Sequence, residues 1–404
     1  MRDSSVALAC GIGGPSLGSG AVLDVDRHQV LAFRLAGHNL TRRLGPRSIV
    51  KAAACGIQET PMGTAAVAFV ARVERLTPAA LERAHRERRT LVTVWSVRGA
   101  PYVVPATDLG AFTVGALPLD AASFRQSLGG WSDALEEAGL DASETLDRMV
   151  AAARDLLDGQ TMNVNELRDE ISARVRSLSK VRRPDFARDD TPEPLFRAVG
   201  TAGAVCIVAG RGTDAELGRI DQWLKAAPAT VDRDEARAEL ARRFLHCYGP
   251  STAQRFAEWT QRSTADAKAA FSRIEDELLE VGVEGRKAWL LRRDEKAFSS
   301  PPEPDGVRLL PVQDPFLQQR DRATVVPDET SRRKLWQPIR GPGGVLVDGA
   351  IVGTWRSRIK EARLEVEIEP FGRLPRAARE TLVVEAEQVA PFRGCTTAEV
   401  RFAG

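Results

Sequence analysis

Leu91-Val92-Thr93-Val94-Trp95 is followed by Arg98-Gly99-Ala100-Pro101 and then by Tyr102-Val103-Val104. Ahead of this stretch the apolar residues recur at the helical period. Within it the period falls to two, and a Gly-containing turn joins two short β-branched and aromatic runs. A hairpin after several helices is the order of a winged helix. The helices upstream fit. Residues 26–40 carry Val30, Leu31, Phe33, Leu35 and Leu40, and Pro46 opens a helix to about residue 55. Residues 62–76 make a third helix. Thr77-Pro78, an N-cap before Pro at the first helical position, opens a fourth through residue 89.

The same order recurs twice. Residues 143–157 place Leu146, Met149, Val150, Ala153, Leu156 and Leu157 on one face. Helices over 165–178 and 192–199 follow, then a strand over 204–208 and the turn Gly210-Arg211-Gly212-Thr213-Asp214. In the third pass residues 235–247 are helical and Tyr248-Gly249-Pro250 breaks the helix. Ser251-Thr252 caps a helix carrying Phe256 and Trp259, and another helix runs from Thr264 to residue 280. Strands over 281–283 and 287–291 meet through Glu284-Gly285. After the linker Ser299-Ser300-Pro301-Pro302-Glu303-Pro304 the chain turns β-rich. Strands fall at 307–311, 344–347, 350–355 and 363–368, Asp348-Gly349 is a hairpin turn, and a helix spans 375–389.

The expected fold is therefore mainly α with β: three tandem winged-helix motifs, then a β-rich, barrel-like C-terminal domain. The boundaries read as a disordered leader 1–24, winged helix 1 over 25–120, winged helix 2 over 121–230, winged helix 3 over 231–298 and the β domain over 299–404.

Composition narrows the function classes. The 404 residues are 43% hydrophobic and 28% charged, with a net charge of +2, so nucleic-acid affinity has to come from local asymmetry. The five cysteines form no CxxC pair and the four histidines no HExxH pattern. No metal site or cofactor is expected, and the odd cysteine count points to reduced thiols in a cytoplasm. No apolar run reaches transmembrane length. Gly11-Ile12-Gly13-Gly14 and Gly210-Arg211-Gly212 lack the strand-to-helix context of a dinucleotide loop.

Basic residues cluster in places. Arg86, Arg88, Arg89 and Arg98 surround the first wing, and Lys180, Arg182 and Arg183 follow the second unit's helix. Arg320, Arg322, Arg332, Arg333, Lys334, Arg340, Arg356, Arg358 and Lys360 crowd the C-terminal domain. Each can neutralise a phosphate, and each can equally solubilise a surface. Trp95 and Tyr102 read as wing core before base-stacking platforms, with Trp95 kept as a possible contact. His38 and Asn39 read as a solvated helix end.

A second stretch, Ala54-Cys55-Gly56-Ile57-Gln58-Glu59-Thr60-Pro61-Met62-Gly63, puts polar side chains between two apolar segments. Such groups need partners or a use. On spacing alone this is a helix end followed by a helix start, with Thr60 as the cap.

Taken with Trp95-Ser96-Val97-Arg98-Gly99, Phe244-Leu245-His246-Cys247-Tyr248-Gly249-Pro250-Ser251-Thr252, Leu309-Leu310-Pro311-Val312-Gln313-Asp314-Pro315-Phe316-Leu317 and Val347-Asp348-Gly349-Ala350-Ile351-Val352-Gly353-Thr354-Trp355-Arg356, the stretch resembles the AlkZ/YcaQ-type winged-helix DNA glycosylases. The resemblance runs from about Val25 onward. It implies three winged helices in a C shape, excision of bulky N7-alkylpurines and unhooking of interstrand crosslinks, in DNA repair or antibiotic self-resistance. It implies a nucleoid-associated cytoplasmic monomer acting on double-stranded DNA that carries alkylated purines. The alternative is a non-catalytic winged-helix regulator. The family motif is Gln, an apolar residue, then Gln or Asp. Gln58 matches the first position, whereas Glu59 and Thr60 depart from the other two. The resemblance makes Gln58 the residue that positions water, by donating and accepting, with Glu59 or Thr60 assisting. An extended backbone would turn Glu59 away from Gln58, and a turn would bring both together. Asp314 reads as a turn residue or as a second carboxylate near the DNA.

Overall fold

The turns follow most directly from side-chain chemistry. Glu284 and Gly285 have φ of 50° and 73°, and Asp348 and Gly349 have φ of 44° and 82°. Both pairs are two-residue loops, the geometry that matches the right-handed twist of flanking strands. The protein is known here as a computed structural model that describes residues 23–182, 184, 193–224 and 232–403.

Among the described residues the strands are β1 (Leu23–Val25), β2 (Ile57–Gln58), β3 (Leu91–Trp95), β4 (Pro101–Pro105), β5 (Met162–Asn163), β6 (Val205–Ala209), β7 (Glu216–Arg219), β8 (Leu278–Val283), β9 (Arg286–Leu291), β10 (Val307–Leu310), β11 (Gly343–Val347), β12 (Ala350–Lys360), β13 (Arg363–Pro370) and β14 (Thr397–Phe402). The hairpins of the three units are β3/β4, β6/β7 and β8/β9; the first and third were expected, whereas in the second only the strand over 204–208 and its turn were, and β7 completes it. The first two do not stand apart. Thr93 of β3 pairs with Ile207 of β6, giving one six-stranded sheet in the order β2-β4-β3-β6-β7-β5. The line drawn between 25–120 and 121–230 therefore crosses a continuous sheet.

The expected leader 1–24 overlaps the first strand. Leu23 and Asp24 belong to β1, which pairs in parallel with β8. Residues 1–22, with Cys10 and the first Gly-rich run, lie outside the described residues, as do Arg183 and Pro192. The short helix near 192–199 is present as Glu193–Thr201. The helix expected from Pro46 is a 3-10 segment, Pro46–Ala53.

The C-terminal sheet has the order β10-β11-β12-β13-β14. Its edges β10 and β14 do not pair, so it is a half-barrel, and the Arg376–Val389 helix packs into it through Leu382, Ala386 and Val389. The Thr64–Arg72 helix is buried on every side. It touches this domain through Val67 and Val70 and the first unit through Phe69.

One expectation about the cysteines fails. Cys55 and Cys247 form a disulfide with Cα atoms 6.0 Å apart, while Cys206 and Cys395 are buried and free. Their sequence separation of 192 hid their adjacency from a count of thiols. The bridge ties the segment leading into β2 to the Arg233–Tyr248 helix.

Candidate active site

The stretch around Gln58 is extended, which decides where its side chains go. Ile57 and Gln58 pair with Val103 and Tyr102, and the Glu59 amide continues the ladder to the Pro101 carbonyl at 2.8 Å. Successive side chains then alternate between faces. Gln58 joins Tyr102 on the face packed against the third unit, and it is 7% exposed. Glu59 faces the other way.

Gln58 sits in a closed set of hydrogen bonds. Its Oε1 accepts from Arg98 Nη2 at 3.1 Å and from Gln318 Nε2 at 3.0 Å. An arginine N–H can only donate, so the amide oxygens of both glutamines are identified by their contact with Arg98. Gln318 Oε1 accepts from Arg98 Nη2 and from the Tyr102 hydroxyl, both at 2.9 Å. Arg98 Nη1 donates to the Trp259 carbonyl at 2.6 Å. An amide oxygen has two lone pairs. Arg98 and Gln318 fill those of Gln58, and its Nε2 is left with one long contact, 3.4 Å, to the Thr60 carbonyl. Gln58 can therefore offer a donor to a water molecule; its accepting half is already used.

Gln318 is placed there by two clamps. Arg72 and Asp314, 1% and 0% exposed in their side chains, make a bidentate pair with both contacts at 2.8 Å. Arg34 Nη1 binds Asp321 at 2.8 Å and the Gln319 side chain at 2.7 Å. Arg34 also donates to the Gly249 and Pro250 carbonyls. The C-terminal segment is thus held on both sides of Gln318. Removing one member of such a buried pair costs about 3–5 kcal/mol. Asp314 also accepts from the Phe316 amide at 2.9 Å, so it is the turn residue of the two readings and does not face solvent.

Glu59 takes the role expected of Thr60. Its carboxylate accepts from the Gly63 and Ala65 amides, both at 2.8 Å, and so caps the Thr64–Arg72 helix. Arg211 lies 3.5 Å away. Burial raises its pKa, opposed by those two amides and by Arg211. The idea that Glu59 supplies a carboxylate beside Gln58 is not met, because the strand turns it to the opposite face. Thr60 is exposed.

The cations fall into two groups. Arg333 pairs with Glu329 at 2.5 Å, Lys334 with Glu369 at 2.7 Å, and Arg332 donates to the Val326 and Pro327 carbonyls. The charges of Arg333 and Lys334 are matched locally, whereas the carbonyls leave that of Arg332 unneutralised. Arg98, Arg320, Arg322 and Arg340 have no ion pair among the described residues. Arg98 points inward to the network. Burial, then Arg98 and Arg322, lower the Arg320 pKa, and its Nε has no partner. Arg322 and Arg340 are exposed, Arg322 lying over the Trp336 ring at 5.2 Å. Trp95 is buried, edge-on to Phe196, as a core residue. His38 is buried too, against the expectation of a solvated helix end, and burial lowers its pKa to about 3.

The spacing of the sequence missed Gln318 and the clamp residues Arg34 and Arg72. A helical arginine reads as surface, and nothing local links residue 318 to residue 58. The only signal was the density of polar residues in Gln318-Gln319-Arg320-Asp321 beside an apolar strand.

Residues 52–392 match the family described as DNA glycosylase AlkZ-like, and the chain belongs to that family. It is 26% identical over 395 residues to an interstrand DNA cross-link repair glycosylase of Streptomyces sahachiroi, covering 92% of this chain and 98% of that protein. Its fold resembles the solved Streptomyces sahachiroi DNA glycosylase AlkZ with a TM-score of 0.74 at 23% identity, over 94% of this chain and all of that one. No described helix is long and apolar enough to cross a membrane.

Proposed function

We propose that this chain is a monofunctional DNA glycosylase that hydrolyses the N-glycosidic bond of bulky N7-alkylguanine adducts in double-stranded DNA, with water as the nucleophile. The observation that carries the reading is the oriented Gln58 amide, its oxygen held by Arg98 and Gln318 and its nitrogen left to donate. The three helix-and-hairpin units are read as winged helices in a C-shaped arrangement around the DNA, and the enzyme as a monomer. The similarity to a cross-link repair glycosylase extends the substrate range to interstrand crosslinks.

An N7-alkylated guanine is positively charged and leaves readily. The enzyme has mainly to place a water below the sugar and tolerate oxocarbenium character at the reacting carbon. Gln58 Nε2 donates to that water. The donors on Gln58 Oε1 polarise the amide and strengthen its N–H. One water lone pair is bound and the other attacks C1′; the C1′–N9 bond breaks with its electron pair going to the base, which leaves as neutral alkylguanine, and the added water loses its proton to solvent. The Thr60 hydroxyl, two residues on, lines a cavity on the other face of the sheet with Glu59 and is given no part in orienting that water. Gln58 is thus the donor and Glu59 a structural cap. No Lys lies in the Gln58 stretch, so no Schiff-base step is assigned.

Release of free alkylpurine from treated duplex DNA tests the reading. Wild type should release the base, and Gln58→Ala should slow release while DNA binding persists. A protein that binds DNA in a salt-sensitive manner and releases nothing would be a regulator instead.

A further inference from the structure

A cavity of about 730 Å³ lies on the other face of the sheet that carries Gln58. Its floor is the β3 and β4 face bearing Thr93, Trp95 and Val103 together with Ile207 of β6, and Phe196 forms a wall. Gln58, Tyr102 and Gln318 do not line it. The volume falls in the range of small-molecule sites, roughly 300–1,000 Å³.

The lining has a definite character. Trp95, Phe196, Trp223 and Phe392 line it; Trp223 and Phe392 are half-buried, and the core residues Trp95 and Phe196 expose only 7% and 2%. The carboxylates at the rim are already engaged: Glu82 with Arg86 at 3.5 Å, Glu193 with Arg197 at 2.5 Å, and Glu59 with Arg211 and two amides. A cationic ligand would have to compete with those arginines. Several polar groups in the lining have no hydrogen-bond partner among the described residues: the His85 imidazole, the Thr60, Thr93 and Thr213 hydroxyls, and the Trp95 and Trp223 indole N–H groups. Burial, with Arg211 and Arg86 beside it, lowers the His85 pKa to about 4, so at neutral pH the ring offers one donor and one acceptor. Apolar walls with a few convergent polar groups define a ligand site. A phosphate backbone would need cations that are not already engaged; here Arg86, Arg197 and Arg211 each face a carboxylate, and Arg168 lies over the Phe196 ring.

We propose that this cavity is a small-molecule site for a planar aromatic compound of two or three rings, uncharged or anionic, separate from the Gln58 site. It stands whether or not Gln58 is catalytic. The ring system lies against Trp95 and Phe196, and its polar substituents meet His85 and Thr93.

The test uses the whole protein and 1-anilinonaphthalene-8-sulfonate, followed by dye fluorescence and by energy transfer from tryptophan. Native protein should bind the dye saturably at one site, and uncharged N-phenyl-1-naphthylamine should also bind. Ala209→Trp, which fills the cavity from β6, should weaken dye binding by about tenfold or more. Its unfolding temperature should stay that of wild type, and its base release, if wild type releases base, should be unchanged. Saturating duplex DNA should not displace the dye. The proposal is overturned if native protein shows no saturable binding, if a folded Ala209→Trp variant binds as well as wild type, or if DNA expels the dye, which would make the cavity part of the DNA channel. An Ala209→Trp variant that does not fold is replaced by Thr93→Val, which removes a polar partner at nearly constant volume and should weaken binding. An unchanged affinity there also overturns it.

Discussion

Gln58 lies among Tyr102, Arg98 and Gln318, whereas Glu59, one residue on, caps a helix and pairs with Arg211 at the edge of a cavity. The two belong to different parts of the molecule because an extended strand alternates its side chains. Gln58 looks toward the third unit and the C-terminal domain, and Glu59 toward the joint between the first two hairpins. Adjacency in a motif is therefore no guide to shared chemistry. One side of β2 is a closed hydrogen-bond network with a single donor left over, and the other is a helix terminus. Perturbing each side separately should separate activity from stability.

The largest effect should come from the clamp. Asp314→Ala leaves the Arg72 guanidinium buried and unpaired, and stability should fall by about 3–5 kcal/mol. Urea unfolding measures it. A smaller loss, or none, would mean that the segment holding Gln318 is anchored elsewhere. Next, Gln58→Ala should reduce single-turnover base release by about 10²–10³, the usual cost of removing one preorganised donor. DNA affinity should stay near wild type, and an unchanged release rate would break the assignment. Gln318→Leu should cost about tenfold in rate, one hydrogen bond's worth, with KM unaffected. Gln318→Glu keeps an acceptor for Tyr102 but has no N–H for Gln58, so it should fail in the same way. On the opposite face, Glu59→Ala should leave the rate unchanged and lose about 1 kcal/mol of stability, as expected for a lost helix cap. A large kinetic defect in that variant would merge the two faces into one site.

The smallest effect concerns pH. The His85 pKa is lowered from 6.5 to about 4 by burial, then by Arg211 and Arg86. Between those values the unfolded chain binds more protons than the native one, so stability rises with pH. The contribution is complete above pH 6.5 and is lost as pH falls toward 4. Melting temperatures across that interval should decline less steeply in His85→Gln than in wild type.

Much of this was legible from local chemistry. The hairpin at 91–104 follows from period-two residues around a Gly turn, and Glu284-Gly285 and Asp348-Gly349 declare their turns by φ > 0. Gln58 stood out as a polar residue between apolar runs. Long-range placement was not legible. β7 is Glu216–Arg219, a run without β-branched residues, and it is a strand because β6 recruits it. Arg34 and Arg72 sit on apolar helices and read as surface, yet each is buried with a carboxylate from beyond residue 310. The Cys55–Cys247 bridge depends on the same folding together of distant segments.

The clamps on Gln318 also bear on when the site comes into being. Asp314, Gln318 and Asp321 all follow residue 310, whereas Gln58, Arg34, Arg72 and Arg98 precede residue 100. A ribosome adding about 5–20 residues per second separates the two sets by ten seconds or more. During that interval Gln58 is present without its second amide. The constellation around Gln58 is therefore completed late in synthesis, only after the C-terminal domain has emerged and folded back onto the first.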